Sequence, residues 1–367
     1  FPALLDELID PALGAQIPGQ RELTASVERI LGTGQDIEAQ LNALNYLKLA
    51  TELRIAVGQL QKSLDATRAQ RALADLAAAI LHGVLMLAGS EIEHRHGVFE
   101  SFGDEKNRCS SGMAIIGYGS LGAAELSYGS DLDIVFLFAA GRPESTGKRP
   151  LAPEHYYARL AQRMLSFLTV MTPSGKLYEV DTRLRPNGQA GSLVSSMKAF
   201  SDYQSNEAWT WEFQALTRAR FLAGSRALGA CFEQVRTDVL CRKRDAQRLA
   251  REMRDMRRRI ADHRGGQGDD EKHRAGGLID IEFIAQLGIL TCAHDRPSIV
   301  EATETTEQLN QLHRIGWLSR DELDVLVSAL CGRRESRLMR SLLNRATEPG
   351  LETAAVTRIF EKKFENP

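Results

Sequence analysis

Runs of apolar residues that could form buried strands occur in one part of this sequence, roughly residues 101–195, and helix-type composition flanks that part on both sides. Met113–Gly117 and Leu132–Phe138 are short apolar runs bounded by turn residues, and Leu177–Arg183 alternates between apolar and polar residues as a third strand would. The flanking stretches are rich in Ala, Leu and Arg, and their apolar residues recur at helical spacing. The sequence therefore predicts an α+β fold, with a small mixed β-sheet set between two helical regions.

Composition and charge exclude several classes of protein. The 367 residues are 43% hydrophobic and 26% charged, which is typical of a folded globular protein with two or three domains. A formal net charge of −2 provides no overall positive field, so we expect neither nucleic acid nor a membrane surface as a partner. No uninterrupted apolar run reaches the ~18 residues of a membrane-spanning helix.

The cysteines indicate the redox environment of the protein, and the first residues indicate that the sequence is part of a longer one. Its five cysteines are odd in number and form no C-x-x-C pair, which favours a reducing, cytoplasmic location over a disulfide or zinc scaffold. The sequence begins Phe1-Pro2 without an initiator methionine, so we expect a piece of a longer protein.

Two glycine-rich segments match nucleotide-binding loops only in part. Gly117–Gly122 fits the dinucleotide fingerprint, but eight residues separate Gly122 from Asp131, and a parallel crossover helix needs about a dozen. Gly141–Lys148 has one residue too many for a P-loop, and Arg149 stands where Ser or Thr should bind magnesium. Neither a Rossmann fold nor a P-loop is predicted.

Three acids form the most informative pattern. Asp131 and Asp133 are two residues apart at the start of a predicted strand, so their side chains should point to the same side, and such carboxylates repel each other unless a cation lies between them. Asp181 lies in the third predicted strand, where a carboxylate needs a metal or a hydrogen-bond partner. Together the three acids could hold two magnesium ions for in-line phosphoryl or nucleotidyl transfer.

The neighbouring residues suit the binding of a triphosphate. The turn at Gly119-Ser120 should expose backbone N–H groups to phosphate oxygens. Arg183 and Arg185 follow Asp181 at the second and fourth positions, so they share its face if the strand continues, and they could clamp phosphates. Pairing of these arginines with nearby acids is the alternative.

Three other groups of residues resemble functional sites, but structural roles are favoured for them. Arg242–Arg264 is strongly basic, but its apolar stripe predicts a core-packed helix with a solvated outer face; an acidic protein partner is the alternative. Trp209 and Trp211 are predicted to pack rather than to stack on adenine. Asp280 and Glu282 are two residues apart on a predicted helix, so salt bridges to arginines are favoured over a metal site.

A series of motifs between residues 112 and 290 is specific when taken together. The motifs are Gly117-Tyr-Gly-Ser-Leu-Gly122, Glu125-Leu126, Tyr128-Gly-Ser-Asp-Leu-Asp133, Gly175-Lys-Leu-Tyr-Glu-Val-Asp-Thr-Arg-Leu-Arg-Pro-Asn-Gly188, Asn206-Glu-Ala-Trp-Thr-Trp-Glu212, Ala215-Leu216, Ala219-Arg220 and Gly276-Gly-Leu-Ile-Asp-Ile-Glu-Phe283. With them the chain resembles the nucleotidyltransferase superfamily of DNA polymerase beta. Within it, the chain is similar to the glutamine synthetase adenylyltransferases, also called adenylyl-removing enzymes.

The resemblance implies a reaction. That family is similar to two fused copies of one nucleotidyltransferase unit, and Leu177–Asp181 and Asn206–Trp211 resemble the C-terminal, adenylylating copy. AMP would pass from ATP to a tyrosine hydroxyl of glutamine synthetase with release of pyrophosphate, which regulates nitrogen assimilation. One Mg²⁺ would be held by Asp131, Asp133 and Asp181, and a second by Asp131 and Asp133, with Asp181 as the general base.

The resemblance also implies organisation and partners. Residues 1–100 would form a helical linker, residues 101–220 the nucleotidyltransferase domain, and residues 221–367 a helical bundle. The expected partners are glutamine synthetase, a PII signalling protein, glutamine as an effector, and the N-terminal adenylyl-removing half of the same polypeptide. Ser120 stands where the family more often has lysine, and Ala123-Ala124 replaces a second glycine, which should alter the phosphate contacts but keep the site.

Two alternatives for the function stay open. Phosphorolytic removal of AMP from adenylylated glutamine synthetase would use the same three acids. A regulatory module that binds ATP, glutamine or a PII protein without catalysis is disfavoured, because all three acids are present.

Overall fold

The computed structural model describes residues 17–99, 112–264, 273–343 and 352–367. Its helices are α1 Gln20–Leu31, α2 Ile37–Leu60, α3 Ala66–His96, α4 Gly119–Gly122, α5 Pro153–Thr169, α6 Met197–Asn206, α7 Thr210–Leu216, α8 Arg226–Leu240, α9 Ala246–Arg264, α10 Leu278–Cys292, α11 Thr305–Arg314, α12 Arg320–Leu343 and α13 Thr353–Glu365. Its strands are β1 Gly112–Gly117, β2 Leu132–Ala139, β3 Val180–Asp181, β4 Val194–Ser196 and β5 Arg220–Gly224. The predicted α+β fold with a small mixed sheet is confirmed, but β5 lies beyond residues 101–195, to which the sequence confined the sheet.

The sheet is built around two buried strands. β1 pairs with β2 in antiparallel register from Gly112 opposite Ala139 to Gly117 opposite Ile134, and β5 pairs antiparallel with the other edge of β1. β2 pairs in parallel with both β3 and β4. The apolar runs that predicted β1 and β2 are almost completely buried, which explains why these strands lack polar residues along most of their length.

The third strand is shorter than the sequence predicts. Leu177–Arg183 was expected to be extended, but only Val180 and Asp181 pair with β2. The chain turns immediately afterwards, because the Asp181 carboxylate accepts a 2.8 Å hydrogen bond from the backbone N–H of Arg183. Leu177 and Tyr178, which are 1% and 7% exposed, are both buried although they belong to no strand.

One long helix forms the core beside the sheet. The Asp65 carboxylate caps the N-terminus of α3 by accepting a hydrogen bond from the Arg68 N–H, and the helix packs against α1, α2, α5 and β5. Among the described residues α3 alone has the length and composition to cross a membrane. Such a helix was not predicted from the sequence, because no uninterrupted apolar run is long enough. Because 72% of its most apolar window is buried inside the protein, α3 has the character of a core helix.

The described residues divide into two compact units. The first contains the residues up to Tyr203 together with Arg220–Glu233, and therefore the whole sheet; the second contains Gln204–Ala219 and the residues from Gln234 onward. The sequence-based division at residues 100 and 220 stays a prediction.

The second unit is a helical assembly around α10. Nearly every residue of α10 is buried, and α7, α9, α11, α12 and α13 pack against it. On α9, Leu249 and Met253 are buried while Arg251, Arg258 and Arg259 are exposed, as the apolar stripe predicts.

The acids of α10 form the predicted salt bridges. The guanidinium of Arg257 pairs with Asp280 and also donates to the carbonyl of His273 at 2.8 Å. Arg218 pairs with Glu282 at 2.8 Å. Both arginines are buried, so these pairs neutralise charge inside the second unit.

The carboxylate of Glu322 should make the stability of the second unit depend on pH. Burial works to raise the pKa of Glu322, but hydrogen bonds from Lys362 and the Ser319 backbone and the charge of Lys363 hold it at about 2, below its ordinary 4.5. A lowered pKa stabilises the folded state above pH 4.5, and this stabilisation is lost as the pH falls toward 2. Glu322→Gln should lower the free energy of unfolding by about 1 kcal/mol at pH 7. Chemical denaturation at pH 7 and pH 3 measures this, and the difference from wild type should shrink at pH 3.

Glu361→Gln is the matched control, because Glu361 is exposed on the same helix as Lys362. Its stability should follow that of the wild type at both pH values. An equal loss in the two variants, or a Glu322→Gln deficit that persists at low pH, contradicts the assignment.

Candidate active site

Two of the predicted acids lie at the start of β2. Asp131 immediately precedes the strand and is exposed, Asp133 is its second residue and is partly buried, and Leu132 between them is completely buried. The alternation places Leu132 in the core and leaves both carboxylates outside it. That the two carboxylates point in the same direction stays a prediction.

The third acid is brought to the same end of the sheet by strand pairing. In the parallel pair β2–β3, Leu132 is opposite Val180 and Asp133 is opposite Asp181, and the Leu132 N–H donates to the Glu179 carbonyl at 2.9 Å. Residues in register on neighbouring strands lie about 4.8 Å apart and project from the same face. Asp133 and Asp181 are therefore neighbours although 48 positions separate them in the chain.

The Gly119-Ser120 turn lies directly against Asp133. The turn is the single helical turn α4 after β1, and the Tyr118 N–H before it donates to the Asp133 carbonyl at 2.8 Å. Gly119 has a φ of +55°, and a Cβ at this position would overlap Oδ2 of Asp133. Glycine is required here both for its backbone conformation and for the approach of the carboxylate.

Arg183 is paired with an acid. Its guanidinium makes a bidentate contact with Asp181, with Nε at 3.0 Å from Oδ1 and 2.8 Å from Oδ2. These side-chain hydrogen bonds are the main reason that the pKa of Asp181 is lowered. Asp181 raises the pKa of Arg183 most strongly, and the charges of Asp133 and Asp131 add to the effect, so all three carboxylates act on one guanidinium.

Arg185 stabilises the loop that follows. The chain turns after Asp181, so the continuous strand face that would have carried both arginines does not form. Arg185 donates to the carbonyl and hydroxyl of Thr182 at 2.8 and 2.9 Å and to the Gly191 carbonyl at 3.2 Å. These bonds fix the loop in place beside the acids.

An open, polar pocket of about 480 Å³ connects these groups. It is lined by Asp131, Val180, Asp181, Thr182, Arg183, Arg185 and Gln189. Gln189 was missed from sequence, because it lies in a short 3₁₀ turn at Gly188–Ala190 and no motif or spacing marks it. The pocket thus joins two of the predicted acids to both predicted arginines.

Comparison with known proteins identifies the family. Residues 1–235 match the sequence model of glutamate-ammonia ligase adenylyltransferase, GlnE. The chain belongs to this family. Similar curated proteins include those of Nitrosococcus oceani, 43% identical over 90% of this chain, Xanthomonas axonopodis, 42% over 87%, and Methylococcus capsulatus, 39% over 100%. Each is named a bifunctional glutamine synthetase adenylyltransferase/adenylyl-removing enzyme, and the matched region covers 35%, 33% and 40% of their respective lengths.

The acids of this GlnE-family chain suit magnesium by their chemistry, although they do not form a closed cage. Three carboxylates supply the hard oxygen ligands that Mg²⁺ prefers, with phosphates and water completing the shell. Among the described residues no group of three or more His, Cys, Asp or Glu side chains converges closely enough to hold a metal ion. The pairing of Asp181 with Arg183 gives a reason, since the guanidinium occupies both carboxylate oxygens.

The packing predicted for the two tryptophans is wrong. Trp209 is 70% exposed and Trp211 is 36% exposed, and both line a groove of about 640 Å³ along α9 in the second unit. Trp209 occupies the N-cap position of α7, where its backbone N–H is bound by Glu212 at 2.9 Å, while Arg244 stacks on Phe213 instead. Trp209 is held through its backbone N–H, and its indole lies outside the core.

Gly119→Ala should displace Asp133 and strain the turn. The new methyl group meets the Asp133 carboxylate, and a φ of +55° is unfavourable for alanine. We expect a loss of stability of about 1–3 kcal/mol, measured by thermal or chemical denaturation.

Gly129→Ala separates the two causes. Gly129 has a similar φ of +67°, but nothing lies within 4 Å of a Cβ there. This variant should show the backbone strain alone and lose less stability. Equal losses in the two variants would show that Asp133 does not lie against the turn.

Proposed function

We propose that this chain transfers AMP from ATP to a tyrosine hydroxyl of glutamine synthetase and releases pyrophosphate. The observation that carries the proposal is the register pair Asp133–Asp181 next to the Gly119-Ser120 turn. Carboxylates next to a glycine turn support the proposal, because nucleotidyl transfer uses acids that bind metal ions and backbone N–H groups that bind phosphate. Family membership and the names of the relatives support the choice of substrates.

In this proposal the residues of the site have separate tasks. Asp131, Asp133 and Asp181 would hold Mg²⁺, which when bound would neutralise triphosphate charge and lower the pKa of the tyrosine hydroxyl. The backbone of Gly119 and Ser120 contacts phosphate oxygens. The tyrosine oxygen forms a bond to the α-phosphorus, the bond to the pyrophosphate oxygen breaks, and the tyrosine proton passes to Asp181.

Arg183 is the residue that must change partner. A guanidinium binds phosphate oxygens with the same planar fork that it uses for a carboxylate. When Arg183 moves from Asp181 to the triphosphate, both oxygens of Asp181 become available to a metal or a proton. Arg185 keeps the loop in position during this exchange because its bonds to Thr182 and Gly191 involve the protein alone.

Removal of AMP from adenylylated glutamine synthetase is a second candidate. The relatives carry both activities in their names, and phosphate could attack the same phosphorus with the same acids present. We assign the addition reaction to this chain because its motifs resemble the adenylylating copy of the unit. Regulation by a PII protein and by glutamine, the presence of a second, adenylyl-removing half and a cytoplasmic location belong to the same proposal.

The direct experiment supplies glutamine synthetase in two forms. Unmodified enzyme with ATP and Mg²⁺ tests addition, and adenylylated enzyme with phosphate tests removal; mass spectrometry of peptides gives the modified residue. We expect AMP on a tyrosine in the first reaction. Removal without addition would assign the opposite direction, and the absence of both would contradict the proposal.

Asp133→Asn should lower the rate of AMP transfer at least about 100-fold, because removal of a metal-binding carboxylate costs several kcal/mol of transition-state stabilisation. The melting temperature should stay level or rise, since carboxylate repulsion is relieved. The rate and the melting temperature are measured on one preparation.

Asp202→Asn is the matched control. Asp202 is an exposed acid in the same unit and pairs with Lys198 on α6 at 3.1 Å. Its substitution should leave the rate within about two-fold of wild type, as expected for a surface ion pair. Full activity of Asp133→Asn would show that Asp133 is not part of the active site.

A further inference from the structure

One face of α2 is polar and largely buried. Asn45, Lys48, Glu52 and Gln59 are spaced three, four and seven residues apart, which places them on one side of a helix. Asn45 is completely buried and Gln59 is 8% exposed. Lys48 and Glu52 form an ion pair at 3.6 Å with side chains only 14% and 21% exposed. Polar groups are buried at a cost unless they have partners, so their partners reveal what this face does.

The first half of the face holds the segment that leads to Asp181. The Asn45 amide donates to the Gly175 carbonyl at 2.9 Å and to the Thr172 hydroxyl at 3.3 Å. The Lys48 ammonium lies 5.0 Å from the centre of the Tyr178 ring, three residues before Asp181. Two backbone hydrogen bonds between Thr172 and Gly175 close this segment into a fixed turn.

The second half of the face holds the segment that leads to Asp131. The Tyr128 hydroxyl donates to the Gln59 side chain at 2.8 Å, and Tyr128 is three residues before Asp131. Glu52 acts on both segments: after burial, which is the larger cause, its charge raises the pKa of Tyr128 and of Tyr178. A single helix face therefore contacts both acid-bearing segments at matching positions.

The direct connection between these segments is small. β3 has two residues, and only two register pairs join it to β2. Such a short parallel pairing contributes little stability by itself. A rigid element that contacts both sides is needed to keep Asp181 at a constant distance from Asp131 and Asp133.

We propose that the polar face of α2 sets the separation of the two acid-bearing segments, with Asn45, Lys48, Glu52 and Gln59 as positioning residues for AMP transfer. The inference rests on the proposed function for its effect on the rate, and on the fold alone for its effect on the β2–β3 pair. Because misplacement by about 1 Å can cost 100-fold in rate, a looser separation lowers turnover before it affects ATP binding.

Tyr128→Phe tests the proposal by removing one hydroxyl. We expect kcat for AMP transfer to fall about five-fold or more while the KM for ATP changes less than two-fold. Tyr156→Phe is the control, since the Tyr156 hydroxyl also donates within the same unit, to the Gly97 carbonyl at 3.1 Å, but contacts neither segment. A purely structural role would lower the melting temperature and activity alike in both variants.

Amide hydrogen exchange gives a readout that does not depend on activity. The Leu132 N–H bonds to Glu179 across β2 and β3, whereas the Tyr118 N–H bonds to Asp133 on the β1 side. In Tyr128→Phe the Leu132 amide should exchange at least about five-fold faster, with Tyr118 unchanged. Equal acceleration of both amides, or no change at Leu132, would overturn the proposal even if the wild-type chain transfers no AMP.

A second variant protects the test against misfolding. Gln59→Met removes the acceptor of the same hydrogen bond from the helix side. It should reproduce the change at the Leu132 amide, and the double variant should add little to either single one. If the two substitutions had fully additive effects on the exchange rate, Tyr128 and Gln59 would act through separate contacts, and the proposal would be overturned. If the wild-type chain transfers no AMP but the Leu132 amide still exchanges faster in both variants, the proposed function is contradicted and the positioning by α2 is not.

Discussion

The parallel pairing of Leu132 and Asp133 with Val180 and Asp181 is the contact on which the candidate site depends. It brings together acids from segments that lie far apart in the chain, and it does so with only two register pairs. A shift by one residue would turn Asp181 toward the opposite face of the sheet. The site therefore requires support from outside the strands, and the buried partners on α2 provide contacts of the right kind on both sides.

Repulsion among the carboxylates is the second constraint. Asp131, Asp133 and Asp181 all act electrostatically on Arg183, and this guanidinium supplies the positive charge that the cluster needs in the absence of a cation. The same contact keeps Asp181 ionised, because its hydrogen bonds lower the pKa of the acid. In the proposed mechanism, a triphosphate that competes for Arg183 would release the Asp181 carboxylate.

The sequence predicts those parts of the molecule that depend on local pattern. The apolar runs at β1 and β2 and the stripe on α9 correspond to buried positions, and the spacing of Asp280 and Glu282 correctly favours salt bridges. Features that depend on particular side-chain hydrogen bonds, whether local or between distant residues, were not predicted. The extent of β3 is set by a side-chain turn at Asp181, and the exposure of Trp209 is set by a helix cap. The contacts of α2 were missed because Asn45 and Gln59 look like solvated positions until their distant partners are known.

The most direct test of a single carboxylate site is the affinity for Mn²⁺, a paramagnetic ion that carboxylates bind as they bind Mg²⁺. Free Mn²⁺ can be measured by electron paramagnetic resonance during titration of the chain in the presence of ATP. Substitution of either Asp133 or Asp181 by asparagine should weaken Mn²⁺ binding by about ten-fold or more, since both acids belong to one site. If Asp181→Asn binds Mn²⁺ as tightly as the wild type while Asp133→Asn does not, the pairing of β2 with β3 does not build a common metal site.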